Sequence, residues 1–232
     1  MRNIYHANMV RTALLGALLL VAPIFGQDIS KDQSVKYTIN TDAVPGLKSW
    51  ADKELMALLE TWHPKLIALL PDPEQRGYKE VSLIFRDGMK VPAYASGNVI
   101  SLNAAWFPAN LNAEAKGCVV HELVHVVQNY QTEPRPPLWI SEGIADYVRW
   151  FLYEPEKRGA EIRDPALAKH DASYRISANF IDWVVRNKDR DLLRKLNTAC
   201  RDGKYSDDLW KTWTGSTLAE LSAAWKAAIV VR

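Results

Sequence analysis

The segment from Val119 to Val127, VVHELVHVV, constrains the fold more than any other stretch, because its two histidines can act together on only one kind of backbone. Its valines favour a strand. On a strand, His121 and His125 would share a face but stand about 13 Å apart, too far to hold one ion roughly 2.0 to 2.1 Å from each ring nitrogen. On a helix they are one turn apart, about 6 Å, and their rings can converge. If the pair works on one ion, the segment is helical against its own propensity.

On such a helix Glu122 is turned about 100° from His121, so its carboxylate can stand beside the ion without ligating it. That is where a general base belongs. Glu122 could take a proton from a water whose pKa zinc lowers towards 7 as that water attacks a carbonyl. By average residue frequencies, His-Glu-x-x-His arises by chance in on the order of one in a hundred chains of this length. The competing reading is an amphipathic helix with two histidines on its wet face, so a third ligand is needed.

One route to that ligand, glycine at 128 and histidine at 131, is closed, because the chain has Gln128 and Gln131. Further on, Glu142 and Asp146 lie one turn apart on a helical stripe beginning 17 residues after His125, and Pro134, Pro136 and Pro137 give the chain room to turn back. Glu142 would complete a two-histidine, one-glutamate set with a fourth position open. Asp146 would accept the outer N–H of a histidine ligand and fix its tautomer. Gln128, three residues past His125, is either a similar partner or an exposed side chain. His170 is a rival third ligand.

Around this segment the chain reads as strands first and helices later, an α+β order. Ser34 to Thr41 alternates like a strand. Gly46 to Leu70 is apolar at helical spacing, with Trp50 and Trp62 among its packing positions, and ends at Pro71 and Pro73. Val81 to Phe85 is a short strand, and Val91 to Ala95 and Val99 to Leu102 form a hairpin about Ser96, Gly97 and Asn98. From Ala113 onward the chain reads as almost entirely helical: 113–129, 138–153, 174–187, 191–200 and 217–229. The last opens on a Thr217 and Glu220 capping box.

Residues 1–26 carry Arg2, Arg11 and a 13-residue apolar run from Ala13 to Phe25, the pattern of a signal peptide and short of the roughly 20 residues of a membrane span. Residues 27–232 are expected to form one domain. The leader takes two of the 29 basic residues and none of the 27 acidic ones, so the remainder has 27 of each and no net charge. Composition thus gives no support to a nucleic-acid or anionic-membrane partner. In an oxidising compartment Cys118 and Cys200 either pair or remain as buried thiols.

HELVHVVQ, PPLWISEGIADYVRW, AYASGNVISL and YSDDLWKTWTGSTLAELSAAWKA together resemble the basic secretory protein family of plants and bacteria, presumed zinc peptidases of the gluzincin type. The similarity runs from about Val35 to Ala228. It implies a zincin-like domain, metal ligands at His121, His125 and Glu142, and catalysis at Glu122. In peptidases of this architecture an edge strand beside the metal helix pairs with extended substrate, and Ala93, Tyr94 and Ala95 are the candidates. A second donor to the developing oxyanion is also needed. Tyr174 is favoured over His170, Arg175 and Tyr147, because a phenol donates without requiring a particular charge.

The expectation is therefore an α+β zincin-like domain with a small N-terminal sheet, an edge strand and a mostly helical C-terminal half. It would be secreted or periplasmic and would use Zn2+ to hydrolyse peptide or protein substrates. The alternative is a secreted binding or defence-like protein whose zinc site is structural or inactive.

Overall fold

A computed structural model describes residues 35–230, so the leader expected over residues 1–26 and the start of the first expected strand lie outside the described residues. The fold is mixed α+β. Strand β1 (Lys36–Asn40) pairs in parallel with β2 (Glu80–Arg86), whose Val81, Leu83 and Phe85 alternate into the core. Strand β4 (Val99–Asn103) runs parallel to β2 on its other side, and β3 (Ala93–Ser96) lies antiparallel to β4 at the edge, giving the order β1-β2-β4-β3. The hairpin turns tightly because Gly97 takes φ 58°, which a residue with a Cβ adopts only under strain.

A parallel β1–β2 pair requires a crossover, and helix α1 (residues 48–69) supplies it. It follows a 3-10 turn at Pro45–Leu47 and winds as a π-helix over Ala51–Leu55, burying Leu55, Leu59 and Leu66. After a short helix α2 (Phe107–Asn110), helix α3 (Ala115–Gln128) passes through the middle of the molecule. All its residues except Lys116 and His125 are buried, against β3, β4, α1 and the next helix. A helix that is apolar on nearly every side is a buried one, and here packing overrides the strand preference of the valines. Asn129 ends it in the left-handed conformation, φ 41°, with its N–H on the His125 carbonyl. The buried Arg201 guanidinium donates to the carbonyls of Val127 (2.8 Å) and Gln128 (3.2 Å), satisfying acceptors that the helix end leaves open.

Helix α4 (residues 138–153) is α-helical over Leu138–Tyr147 and π-helical over Val148–Tyr153. Helices α5 (Tyr174–Asn187), α6 (Leu192–Arg201), α7 (Asp208–Thr214) and α8 (Leu218–Val230) complete the C-terminal half. The Thr217 N–H donates to Glu220 and the Glu220 N–H to Thr217 Oγ, so the box that starts α8 closes in both directions. Trp210 and Trp225 are fully buried, whereas Trp50, Trp62 and Trp183 pack only partly against the core.

The expected start of one strand is corrected. The edge strand begins at Ala93, because Pro92 has no N–H to enter the ladder although its carbonyl accepts from Asn103. The gap left between the expected helices 138–153 and 174–187 is present: residues 154–173 hold only 3-10 turns at Pro155–Lys157 and Pro165–Leu167, where prolines and Gly159 break the pattern. Cys118 and Cys200 are both free and buried, and burial pushes both thiols up to about 12. Among the described residues no helix is long and apolar enough to cross a membrane.

Candidate metal centre

Helix α3 presents His121 and His125 one turn apart, and α4 presents Glu142 and Asp146 one turn apart on the stripe facing them. The Nε2 atoms of the two histidines point at each other across 3.2 Å. Glu142 Oε2 lies 3.1 Å from the first and 3.4 Å from the second. One donor atom from each of His121, His125 and Glu142 falls within 4.8 Å of the others, so these three could hold one metal ion.

The outer nitrogens are fixed independently. His121 Nδ1 donates to Asp146 Oδ1 at 2.8 Å, and His125 Nδ1 donates to Gln128 Oε1 at 2.8 Å. With both Nδ1 atoms engaged as donors, both Nε2 lone pairs are turned into the same small space, an arrangement stable only with a cation or a proton between them. Gln128 also donates from Nε2 to the Ser141 carbonyl at 3.0 Å, tying the end of α3 to the residue before Glu142.

Electrostatics follow from this crowding. Burial alone would raise the Glu142 carboxyl, but hydrogen bonds from His121 and His125 outweigh it and hold the group at about 2. Burial alone would lower His121, but the Asp146 and Glu142 carboxylates prevail and raise it to about 9. Glu122, on the adjoining face of α3, is raised by burial, an effect that the two histidines only partly offset. Its carboxylate accepts the backbone N–H of Ala95. That contact agrees with the ladder: the Pro92 carbonyl accepts the Asn103 N–H across the β3–β4 pair, so Tyr94 and Ser96 turn their backbone groups to β4 while Ala93 and Ala95 turn theirs to the open edge.

The other expected residues divide sharply. The Tyr174 ring stacks 6.5 Å from that of His121, and the Glu142 carboxylate, more than burial, raises its phenol. His170 hydrogen-bonds Ser222 and packs on Trp139 and Phe180, away from the triad. Arg175 lies over the Trp150 ring, and Tyr147 is buried against Phe151. Of the four oxyanion candidates, Tyr174 is the one in ring contact with His121. No residue pattern signals that Ala95 also contacts Glu122, because a backbone donor has no side-chain signature.

No curated protein and no solved structure matches the chain. A family model described as peptidase of plants and bacteria matches residues 37–225, a span that contains all four strands' paired core and every residue of the cluster. On that match, which covers most of its length, the chain belongs to the family of peptidases of plants and bacteria.

Proposed function

We propose that this chain is a secreted zinc-dependent peptidase of the gluzincin type. One observation carries the reading: two imidazole Nε2 atoms and a carboxylate oxygen converge beside a second carboxylate, Glu122, held at an open strand edge. The donor set suits zinc, which takes histidine nitrogen and carboxylate oxygen in catalytic sites of three protein ligands. Three buried or nearly buried carboxylates, Glu122, Glu142 and Asp146, face two histidines and no lysine or arginine within hydrogen-bonding distance, so the charge of the site also calls for a divalent cation. The signal-peptide pattern of residues 1–26 supports export.

Zinc bound there supplies a Lewis acid that polarises the scissile carbonyl and makes a water acidic near neutral pH. The residues of the chain do the rest. The outward N–H of Ala93 and the outward carbonyls of Ala93 and Ala95 pair with an extended peptide without regard to its side chains. Glu122, raised by burial, accepts the proton of the attacking water and passes it to the leaving amine, while the Ala95 N–H fixes its carboxylate. Tyr174 donates its O–H to the oxyanion that develops on the former carbonyl. Asp146 and Gln128 keep both imidazoles in the ligating tautomer.

The test is hydrolysis of a protein or peptide library by the zinc-loaded protein. Activity should vanish with a chelator and fall about 10²- to 10⁴-fold in Glu122→Ala, with zinc content unchanged. Equal activity in the wild type and in zinc-loaded Glu122→Ala would refute the reading.

A further inference from the structure

Beside His125 a cleft of about 650 Å³ opens between the end of β3 and the loop that joins α3 to α4. Its wall carries one full cation, Arg135, and no carboxylate. The amides in it are already committed. Asn129 Oδ1 accepts from Tyr78 Oη at 3.0 Å and from Gln131 Nε2 at 3.1 Å, and Asn129 Nδ2 donates to the Arg76 carbonyl at 3.1 Å. Among the lining side chains, the Ser96 hydroxyl and the two terminal nitrogens of Arg135 have no hydrogen-bond partner among the described residues, and of these only Arg135 carries charge.

The guanidinium is solvent-facing, its side chain 62% exposed, and pairs with a similarly exposed neighbour. Glu133 accepts from Arg135 Nε with one oxygen and from the Arg135 backbone N–H with the other, both at 3.1 Å. That clamp occupies one side of the guanidinium and leaves the Nη1 and Nη2 pair as an open fork. The loop beneath it is restricted. Pro134, Pro136 and Pro137 restrict φ on both sides of Arg135. Gly203, at φ +65°, sits so close to the Glu133 carbonyl that a Cβ would stand 2.7 Å from it, and Tyr130 Oη donates to Asn197 on α6. A planar two-donor fork on a proline-restricted loop matches a carboxylate in geometry and charge.

We propose that this cleft is a subsite for a carboxylate of the peptide substrate, bound by the Arg135 guanidinium. The proposal rests on the peptidase reading of the neighbouring centre and names part of its substrate. Two sources carry this chemistry: an aspartate or glutamate side chain near the scissile bond, or the free C-terminus of the peptide. The first makes Arg135 a specificity residue of an endopeptidase, the second the anchor of a carboxypeptidase.

Two measurements test it. Zinc-loaded wild type is assayed on matched peptides bearing Asp or Glu against Asn or Gln, each with a free or an amidated C-terminus. The ratio of kcat/KM for carboxylate-bearing over neutral peptides should be roughly tenfold or more, and Arg135→Ala should bring it near one. Arg135→Glu should reverse it towards lysine- and arginine-bearing peptides. Dependence on the side chain identifies the first source, and dependence on amidation the second. Binding of the same peptides, labelled with a fluorophore, to zinc-loaded Glu122→Gln is followed in parallel by polarisation, so that the subsite is read even where no peptide is cleaved. Absence of cleavage alone would count against the peptidase reading. Binding and cleavage that ignore the carboxylate, or that change equally for all peptides in Arg135→Ala, would overturn the subsite.

Discussion

Helix α3 carries a buried polar cluster at each end, and the two differ in how their charges close. At its N-terminal end Arg149 donates from Nη2 to Glu114 and from Nε to Glu154, both at 2.9 Å, and Lys157 lies 2.6 Å from the other oxygen of Glu154. With Arg175 also 3.9 Å from Glu114, three cations meet two carboxylates there. The fit is tight enough that a Cβ at Gly117 would stand 2.3 Å from Glu154 Oε1. Towards the C-terminal end Glu122, Glu142 and Asp146 face the two histidines and, among the described residues, pair with no lysine or arginine. Both clusters join α3 to α4, yet one is complete within the chain while the other gathers negative charge that the chain does not neutralise. A closed ion network holds a fold together; an open one defines a place for a cation.

The first way to break this contrast is to open the closed cluster. Arg149→Met leaves Glu154, whose side chain is only 5% exposed, with Lys157 as its remaining cation and should cost about 2 to 3 kcal/mol in denaturant unfolding. A loss below about 1 kcal/mol would mean that the network is not the fastener described. Closing the open cluster is the converse. Free zinc at a hundred times its Kd should stabilise the wild type by about 2.7 kcal/mol in the same assay, with no gain in Glu142→Ala. If Glu142→Ala gains as much as the wild type, Glu142 is not a ligand.

Finer perturbations sharpen the comparison. Asp146→Asn and Gln128→Ala each remove an outer hydrogen bond from a histidine and should weaken zinc binding about 10- to 100-fold, measured by competition with a chelating dye. Either variant matching the wild type would show that its partner does not orient the ring. The smallest effect concerns His63, buried with the Tyr37 phenol at 3.1 Å and no carboxylate. Burial lowers it to about 4, against an ordinary 6.5. Its unfolded form therefore takes up a proton first, and its contribution, whole above about pH 6.5, is lost as the pH falls towards 4. By pH 5.5 the cost should be about 1 kcal/mol, absent in His63→Gln. Equal acid sensitivity in both proteins would place the titrating group elsewhere.

The cluster of His121, His125, Glu142 and Asp146 was legible in the sequence because it is written in spacing. His121 to His125 and Glu142 to Asp146 are both single helical turns, and the gap between them needs only a loop. The rest depends on contacts that no local pattern encodes. Arg149 lies on the same stripe as Glu142 and Asp146, and from sequence it is indistinguishable from an exposed arginine. The π-helical turns at Ala51–Leu55 and Val148–Tyr153 have no residue signature, since they arise where packing accommodates one more residue per turn. Valine-rich α3 is the opposite case: propensity points to a strand, and only the demand that two histidines share an ion selects the helix. The short helices Phe107–Asn110 and Asp208–Thr214 are too brief for periodicity to reveal.

The open edge at β3 has a further consequence. A strand that offers its backbone to any extended chain offers it equally to unfolded neighbours, including copies of this protein, and so is a site for sheet-to-sheet growth. Here the exposure is rationed: Pro92 stands before the strand, Gly97 turns away after it, and the strand itself is four residues long. With Ala95 N–H already given to Glu122, few outward groups remain. The proposed pairing with substrate needs no more than that, and it is too little to seed an aggregate. The dimensions of β3 thus limit colloidal risk as well as recognition.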